Sequence, residues 1–133
     1  ERLGLGGLIT EVLAPPRWLP AATQGTIGVQ RRADDASAAS LVAVLGDADA
    51  MLRTRAERAV SAALHGSCQV PLAVYAEQRD GAFRISGLVG MPDGSRVLRA
   101  VAEGPAGAAD RLAAGVARDL LNQGADRIIA ALA

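Results

Sequence analysis

Val70-Pro71-Leu72-Ala73-Val74-Tyr75-Ala76-Glu77-Gln78, Ala82-Phe83-Arg84-Ile85-Ser86-Gly87-Leu88-Val89-Gly90 and Arg96-Val97-Leu98-Arg99-Ala100-Val101-Ala102-Glu103 are three strand-length runs, separated by Asp80-Gly81 and by Met91-Pro92-Asp93-Gly94. An Asp-Gly pair between apolar runs favours the positive backbone angles of a tight hairpin, and Pro-Asp-Gly is an equally direct turn signal. The three runs therefore predict an antiparallel meander. In the middle run Phe83, Ile85 and Val89 share one face while Arg84, Ser86 and Leu88 share the other, so one side of the sheet requires a cover.

The flanking sequence supplies it. Upstream, Leu52, Ala56, Ala59, Val60, Ala63 and Leu64 recur at spacings of three and four, which predicts a helix starting at Asp47 or Asp49 and closing at Gly66. Arg53, Arg55, Glu57 and Arg58 fall mostly outside that stripe. Downstream, Leu112, Val116, Leu120 and Leu121 mark a last long helix capped by Gly124, after which Ile128 and Ile129 form a short tail. The expected fold class is α+β: a three-stranded antiparallel sheet covered on one face by helices, over residues 47–133.

The first part of the chain reads differently. Residues 1–33 hold Gly4, Gly6, Gly7, Pro15, Pro16, Pro20, Gly25 and Gly28, a density that forbids long helices and predicts turns around short extended pieces. Asp34 or Asp35 caps a short helix through Leu41, Val42 and Leu45, which Gly46 ends. The start at Glu1, directly ahead of Leu3-Gly4-Leu5-Gly6-Gly7-Leu8, reads as a start within a longer polypeptide whose other parts would cover this segment.

Composition narrows the functional classes. All fourteen basic residues are Arg, and fourteen acids balance them, so the basic excess of a nucleic-acid-binding domain is missing. Only Trp18, Tyr75 and Phe83 are aromatic, which leaves Ala, Val, Leu and Ile to build the interior. The apolar runs fall far short of the roughly 20 residues of a membrane span. One cysteine cannot form an internal disulfide, which fits a reducing, cytoplasmic setting. No cluster of Cys and His has metal-ligand spacing, no phosphate loop ending in Lys is present, and no Gly-x-Ser-x-Gly elbow occurs.

The one cysteine lies in Gly66-Ser67-Cys68-Gln69-Val70-Pro71-Leu72, at the junction of the second helix and the first strand. Gly66 permits an unusual backbone angle and Pro71 stiffens the exit, so the thiol is expected on a short constrained loop. By residue type alone Cys68 is either a small packed hydrophobe or a group placed to react or to carry something. His65 precedes the loop and reads as a helix-end residue favoured by the helix dipole.

Glu57-Arg58, Val60, Leu64, Gly66-Ser67-Cys68 and Val70-Pro71-Leu72-Ala73 match position by position the cofactor-attachment signature of the porphobilinogen deaminase (hydroxymethylbilane synthase) family, which this sequence resembles. Leu19-Pro20-Ala21-Ala22-Thr23-Gln24-Gly25-Thr26-Ile27-Gly28-Val29-Gln30-Arg31 is similar to that family's Pro-Ala-x-Gly-Gln-Gly-x-x-Gly-Ile-Glu-x-Arg segment, with Thr23 where Gly is usual and Gln30 where Glu is usual. Arg2-Leu3-Gly4-Leu5, Asp93-Gly94-Ser95 and Leu120-Leu121-Asn122-Gln123-Gly124 extend the resemblance over the whole chain.

The resemblance implies a division of the chain. Residues 1–25 would be a remnant of the central domain and 26–46 a return segment of the first domain, together the remnants of an α/β pair; 47–133 would be the C-terminal cofactor-carrying domain. It also implies an activity for the full-length protein: a dipyrromethane cofactor joined to Cys68 by a thioether primes the addition of four porphobilinogen units, with loss of ammonia at each, and hydroxymethylbilane is released by hydrolysis for tetrapyrrole (haem) biosynthesis. Cys68 is then an anchor. Arg2 would bind carboxylates of the cofactor or growing chain, and Gln24 and Gly25 would bring backbone close to it. The aspartate that assists the chemistry belongs to the N-terminal half, which is the implied partner, so no catalytic residue is assigned here and the fragment alone is expected to lack turnover. Two other classes remain: a non-enzymatic, duplicated or decayed domain that uses its sheet for protein contacts and keeps Cys68 as a packing residue, and a cysteine-dependent hydrolase or redox protein, for which no partner base, orienting acid or second cysteine is evident.

Overall fold

The computed structural model describes residues 2–65 and 70–132. A short 3-10 turn, Gly6–Leu8, and helix α1, Ala36–Ala43, precede helix α2, Ala48–Ala63; strands β1, Leu72–Arg79, β2, Ala82–Gly90, and β3, Val97–Pro105, follow. A 3-10 turn, Ala106–Ala108, leads into helix α3, Ala109–Asn122, and helix α4, Ala125–Ala130, ends the order. The α+β class and the meander are as expected: the sheet order is β1-β2-β3 and both pairings are antiparallel.

The Asp-Gly signal does what its chemistry allows. Arg79 pairs with Ala82, and Asp80 and Gly81 both adopt positive φ, +53° and +80°, which gives a two-residue hairpin of the twist that strands prefer. The second connection is longer. Asp93 accepts from the backbone N–H and the hydroxyl of Ser95, at 3.0 and 2.6 Å, and the Met91 N–H donates to the Arg96 carbonyl at 2.8 Å. β1 begins two residues later than the sequence indicates, because Val70 is bent into a tight turn in which its carbonyl accepts from the Leu72 N–H at 2.7 Å.

One face of the sheet carries Val74 and Ala76 of β1, Phe83, Ile85 and Val89 of β2, and Leu98 and Ala100 of β3, all buried under α2 and α3. Ala56, Val60 and Leu64 reach that core from α2; Ala113, Val116 and Leu120 reach it from α3. Gly87 in the central strand sets the distance of the cover: a Cβ there would lie 2.8 Å from Val116 Cγ1 and 3.0 Å from Leu120 Cδ1. Only a residue without a side chain lets α3 approach so closely.

Two parts of the helix reading change. Ala59 and Ala63 of α2 are exposed, as is Leu121 of α3 at 40%, because the apolar stripes are narrower than the spacing implied. Glu57, expected on the solvent side, is buried. It follows Ala56 and lies three residues before Val60 and seven before Leu64, so it shares their face. The helix starts are as read, with the Asp35 and Asp47 side chains each accepting a backbone N–H at 2.8 Å.

Candidate functional site

α2 ends at Ala63 with Leu64 as its cap, and His65 beyond is exposed with φ +52°, its N–H donating to the Ala62 carbonyl at 3.1 Å. On the other side of the loop, Gly90 of β2 donates to the Pro71 carbonyl at 3.2 Å, which fixes the approach to β1. A helix end and a strand start therefore flank the segment in which Cys68 was expected. Cys68 itself, with Gly66, Ser67 and Gln69, lies outside the described residues.

The turn around Gln24 and Gly25 is held against the exposed edge of β1. Edge strands leave every second N–H unpaired, and here two of these donors are taken: Val74 N–H donates to the Pro20 carbonyl at 3.1 Å, and Ala76 N–H donates to Glu57 Oε1 at 2.7 Å. The other oxygen, Glu57 Oε2, accepts from the Thr23 N–H at 2.6 Å. One carboxylate on α2 thus joins β1 to the turn that carries Gln24 and Gly25. Hydrogen bonds to an ionised group are stronger than neutral ones and contribute about 1.5–3 kcal/mol each.

That turn is unusual. Thr23 adopts φ +61° and Gly25 φ +83°. Gly is at ease there, but a β-branched residue at positive φ is a genuine outlier that costs on the order of 1–3 kcal/mol. The departure noted in the sequence, Thr where the family usually has Gly, therefore falls on a backbone conformation that suits Gly. The Gln24 side-chain oxygen accepts from the Ala21 N–H at 3.2 Å and the Thr26 N–H donates to the Thr23 carbonyl at 3.0 Å, which close the turn on itself. A Cβ on Gly25 would meet nothing within 4 Å, so its backbone is open to a ligand.

A cavity of about 810 Å³ lies beside this turn, with Gln24, Gly25, Met51, Arg53, Glu57 and Tyr75 in its wall. Arg53 lines the cavity and is ion-paired along α2 with Asp49, Nε to Oδ2 3.1 Å. A smaller hollow of about 440 Å³ on the uncovered face of the sheet adjoins Val70 and Pro71 and includes Trp18, Leu88 and Arg99. Arg17 lies 5.8 Å from the Trp18 ring centroid, and Arg99 donates to the Arg17 carbonyl at 3.4 Å.

Of the site residues read from sequence, Gln24 and Gly25 are adjacent, exposed and on the cavity wall. Arg2 is exposed, and among the described residues it makes no ion pair and no hydrogen bond to the Gln24 turn. Glu57 and Arg53 were missed as site residues; the signal for Glu57 was its place on the Val60 and Leu64 stripe. Among the described residues no group of three or more His, Cys, Asp or Glu gathers as a metal site, and no helix is long and apolar enough to cross a membrane.

Comparison with known proteins gives a consistent answer. The chain is 48% identical over 132 residues to the porphobilinogen deaminase of Chromobacterium violaceum and 48% identical over 135 residues to that of Paraburkholderia phytofirmans, each alignment covering 99% of this chain. It is 46% identical to the porphobilinogen deaminase of Bordetella parapertussis over 132 residues. The chain spans about two-fifths of the length of these relatives, 43%, 40% and 42% respectively. Residues 51–122, more than half of the chain, match the family model for the porphobilinogen deaminase C-terminal domain, and the chain belongs to that family.

Proposed function

We propose that this chain is the cofactor-carrying C-terminal part of a porphobilinogen deaminase, which condenses four porphobilinogen units onto a dipyrromethane primer and releases hydroxymethylbilane for tetrapyrrole biosynthesis. The observation that carries this reading is that the family match, residues 51–122, spans Cys68, the chain's one cysteine. When bound, the primer supplies a covalent pyrrole acceptor that keeps the growing chain on the protein. Cys68 holds it through a thioether, a bond that survives the water needed to release product.

The residues present fit such a group. Its acetate and propionate side chains need cations and donors; Arg53, which shares its charge with Asp49, and the open backbone of Gly25 line a cavity of about 810 Å³, within the usual range of ligand sites. Arg17 and Arg99 beside Val70 add cationic groups close to the loop, and Arg2 contributes from the opening segment. Gln24 orients and Gly25 permits close approach. The acid–base work falls to the N-terminal half, so this chain holds the primer without turning over substrate alone. That half is also the partner that covers Leu5, Leu8, Val12 and Trp18, which are 48–78% exposed here. The protein works in the cytoplasm, where its one thiol stays reduced.

The test is porphobilinogen consumption by the full-length enzyme and by its Cys68→Ser variant. A serine hydroxyl is a far weaker nucleophile than a partly ionised thiol. The variant is expected to keep its circular dichroism and lose turnover; parental turnover without a covalent pyrrole would overturn the proposal.

A further inference from the structure

We infer that Glu57 is a positioning residue that sets the Gln24–Gly25 turn against the two elements flanking the Cys68 loop. Its side chain rises from α2, the helix leading into that loop, and is only 7% exposed. One oxygen holds the Ala76 N–H of β1, the strand leaving the loop, at 2.7 Å; the other holds the Thr23 N–H at 2.6 Å. The carboxylate, carried by α2, is thus the shared acceptor of two pieces of chain that are far apart in sequence. Thr23 sits at φ +61°, where its β-branched side chain resists the backbone, so the turn needs an external hold.

The chemistry of the hold is specific. Both partners are N–H donors, and only a carboxylate offers an acceptor oxygen to each. Glutamine of the same shape presents an NH₂ to one of them, which loses a bond and sets two donors against each other. Aspartate is one methylene shorter and cannot span both donors from the same helix position. The role of the turn in binding the pyrrole chain rests on the function proposed above; the hold on Thr23 does not, and the two are read by separate measurements.

The first measurement is residue-resolved amide hydrogen exchange on the parent chain and on Glu57→Gln. In the parent, the Thr23 amide is expected to exchange at least about tenfold more slowly than those of Ile27 and Val29 in the exposed stretch that follows. In the variant that protection falls about tenfold while Ile85 and Val116 in the core stay protected. A Thr23 amide that is unprotected in the parent, a reading that needs no variant to fold, overturns the inference; so does an unchanged Thr23 rate in Glu57→Gln. The second measurement uses the full-length enzyme with its primer confirmed by intact mass. A Glu57→Gln variant that carries the primer is expected to show an about tenfold higher KM for porphobilinogen with kcat changed much less, and Glu57→Asp is not expected to restore it. Parental KM in the primer-loaded variant contradicts the positioning role even if the exchange result holds.

Discussion

Residues 48–132 and residues 2–46 are both rich in Leu, Val and Ala, yet only the first group makes a core. Val60, Val74, Phe83, Ile85, Val89, Val116 and Leu120 are fully buried, whereas none of residues 2–46 is, and Ile27, Val44 and Leu8 are 90%, 83% and 78% exposed. Apolar composition does not by itself create a fold. The later region has a sheet with one free face and two helices to lay on it; the earlier one has a short helix, one 3-10 turn and glycine-rich extended chain, with no layer on which to close. The attachment at Glu57 and Pro20 is where the two regions meet.

The contrast breaks most visibly with paired truncations. Phe83→Ala should destabilise the fold by about 3–5 kcal/mol, since it removes a fully buried ring and leaves a cavity, while Ile27→Ala should change it by less than about 0.5 kcal/mol. Urea unfolding followed by circular dichroism reads both; comparable losses would mean that residues 2–46 contribute to the same core. A glycine pair sharpens the point at smaller scale. Gly87→Ala should cost about 1–3 kcal/mol because α3 must move away from a Cβ only 2.8 Å from Val116, whereas Gly28→Ala meets nothing within 4 Å and should be neutral or stabilise by about 0.4–1 kcal/mol through the unfolded chain.

The smallest effect is electrostatic and lies within the C-terminal region. The Ser95 hydroxyl, and next its backbone N–H, hold the Asp93 carboxyl below its ordinary value. A depressed carboxyl contributes stability at pH above the unfolded value, and this is lost as pH falls through the folded value. Ser95→Ala should raise the Asp93 midpoint in an NMR titration with almost no change in global stability, since the group is fully exposed. An unmoved midpoint would show that the hydroxyl is not the cause.

Much of the sheet was legible because its signals are local. Period-2 alternation in β2 and the Asp80-Gly81 pair specify strand and turn within a few residues, and Asp35 and Asp47 announce their helices in the same way. Helix faces were less legible: Ala59 and Ala63 fit the spacing but not the interface, since small residues carry little information about which side is covered. The place of Glu57 on the Val60 and Leu64 stripe signals its burial but not what its carboxylate holds. Its partners are backbone N–H groups 34 and 19 residues away, and backbone donors leave no trace in side-chain spacing. Cys68 was singled out by resemblance, and the strain at Thr23 could be found only once the φ of that turn was known.

The function proposed above requires the C-terminal domain to carry a covalent pyrrole primer on Cys68. Intact-mass analysis of the full-length enzyme, followed by peptide mapping of the segment containing Cys68, tests it most directly. The prediction is a mass increment of one dipyrromethane, localised to Cys68 and lost in Cys68→Ser; an active enzyme whose mass equals that of its sequence, or whose adduct lies on another residue, would contradict it.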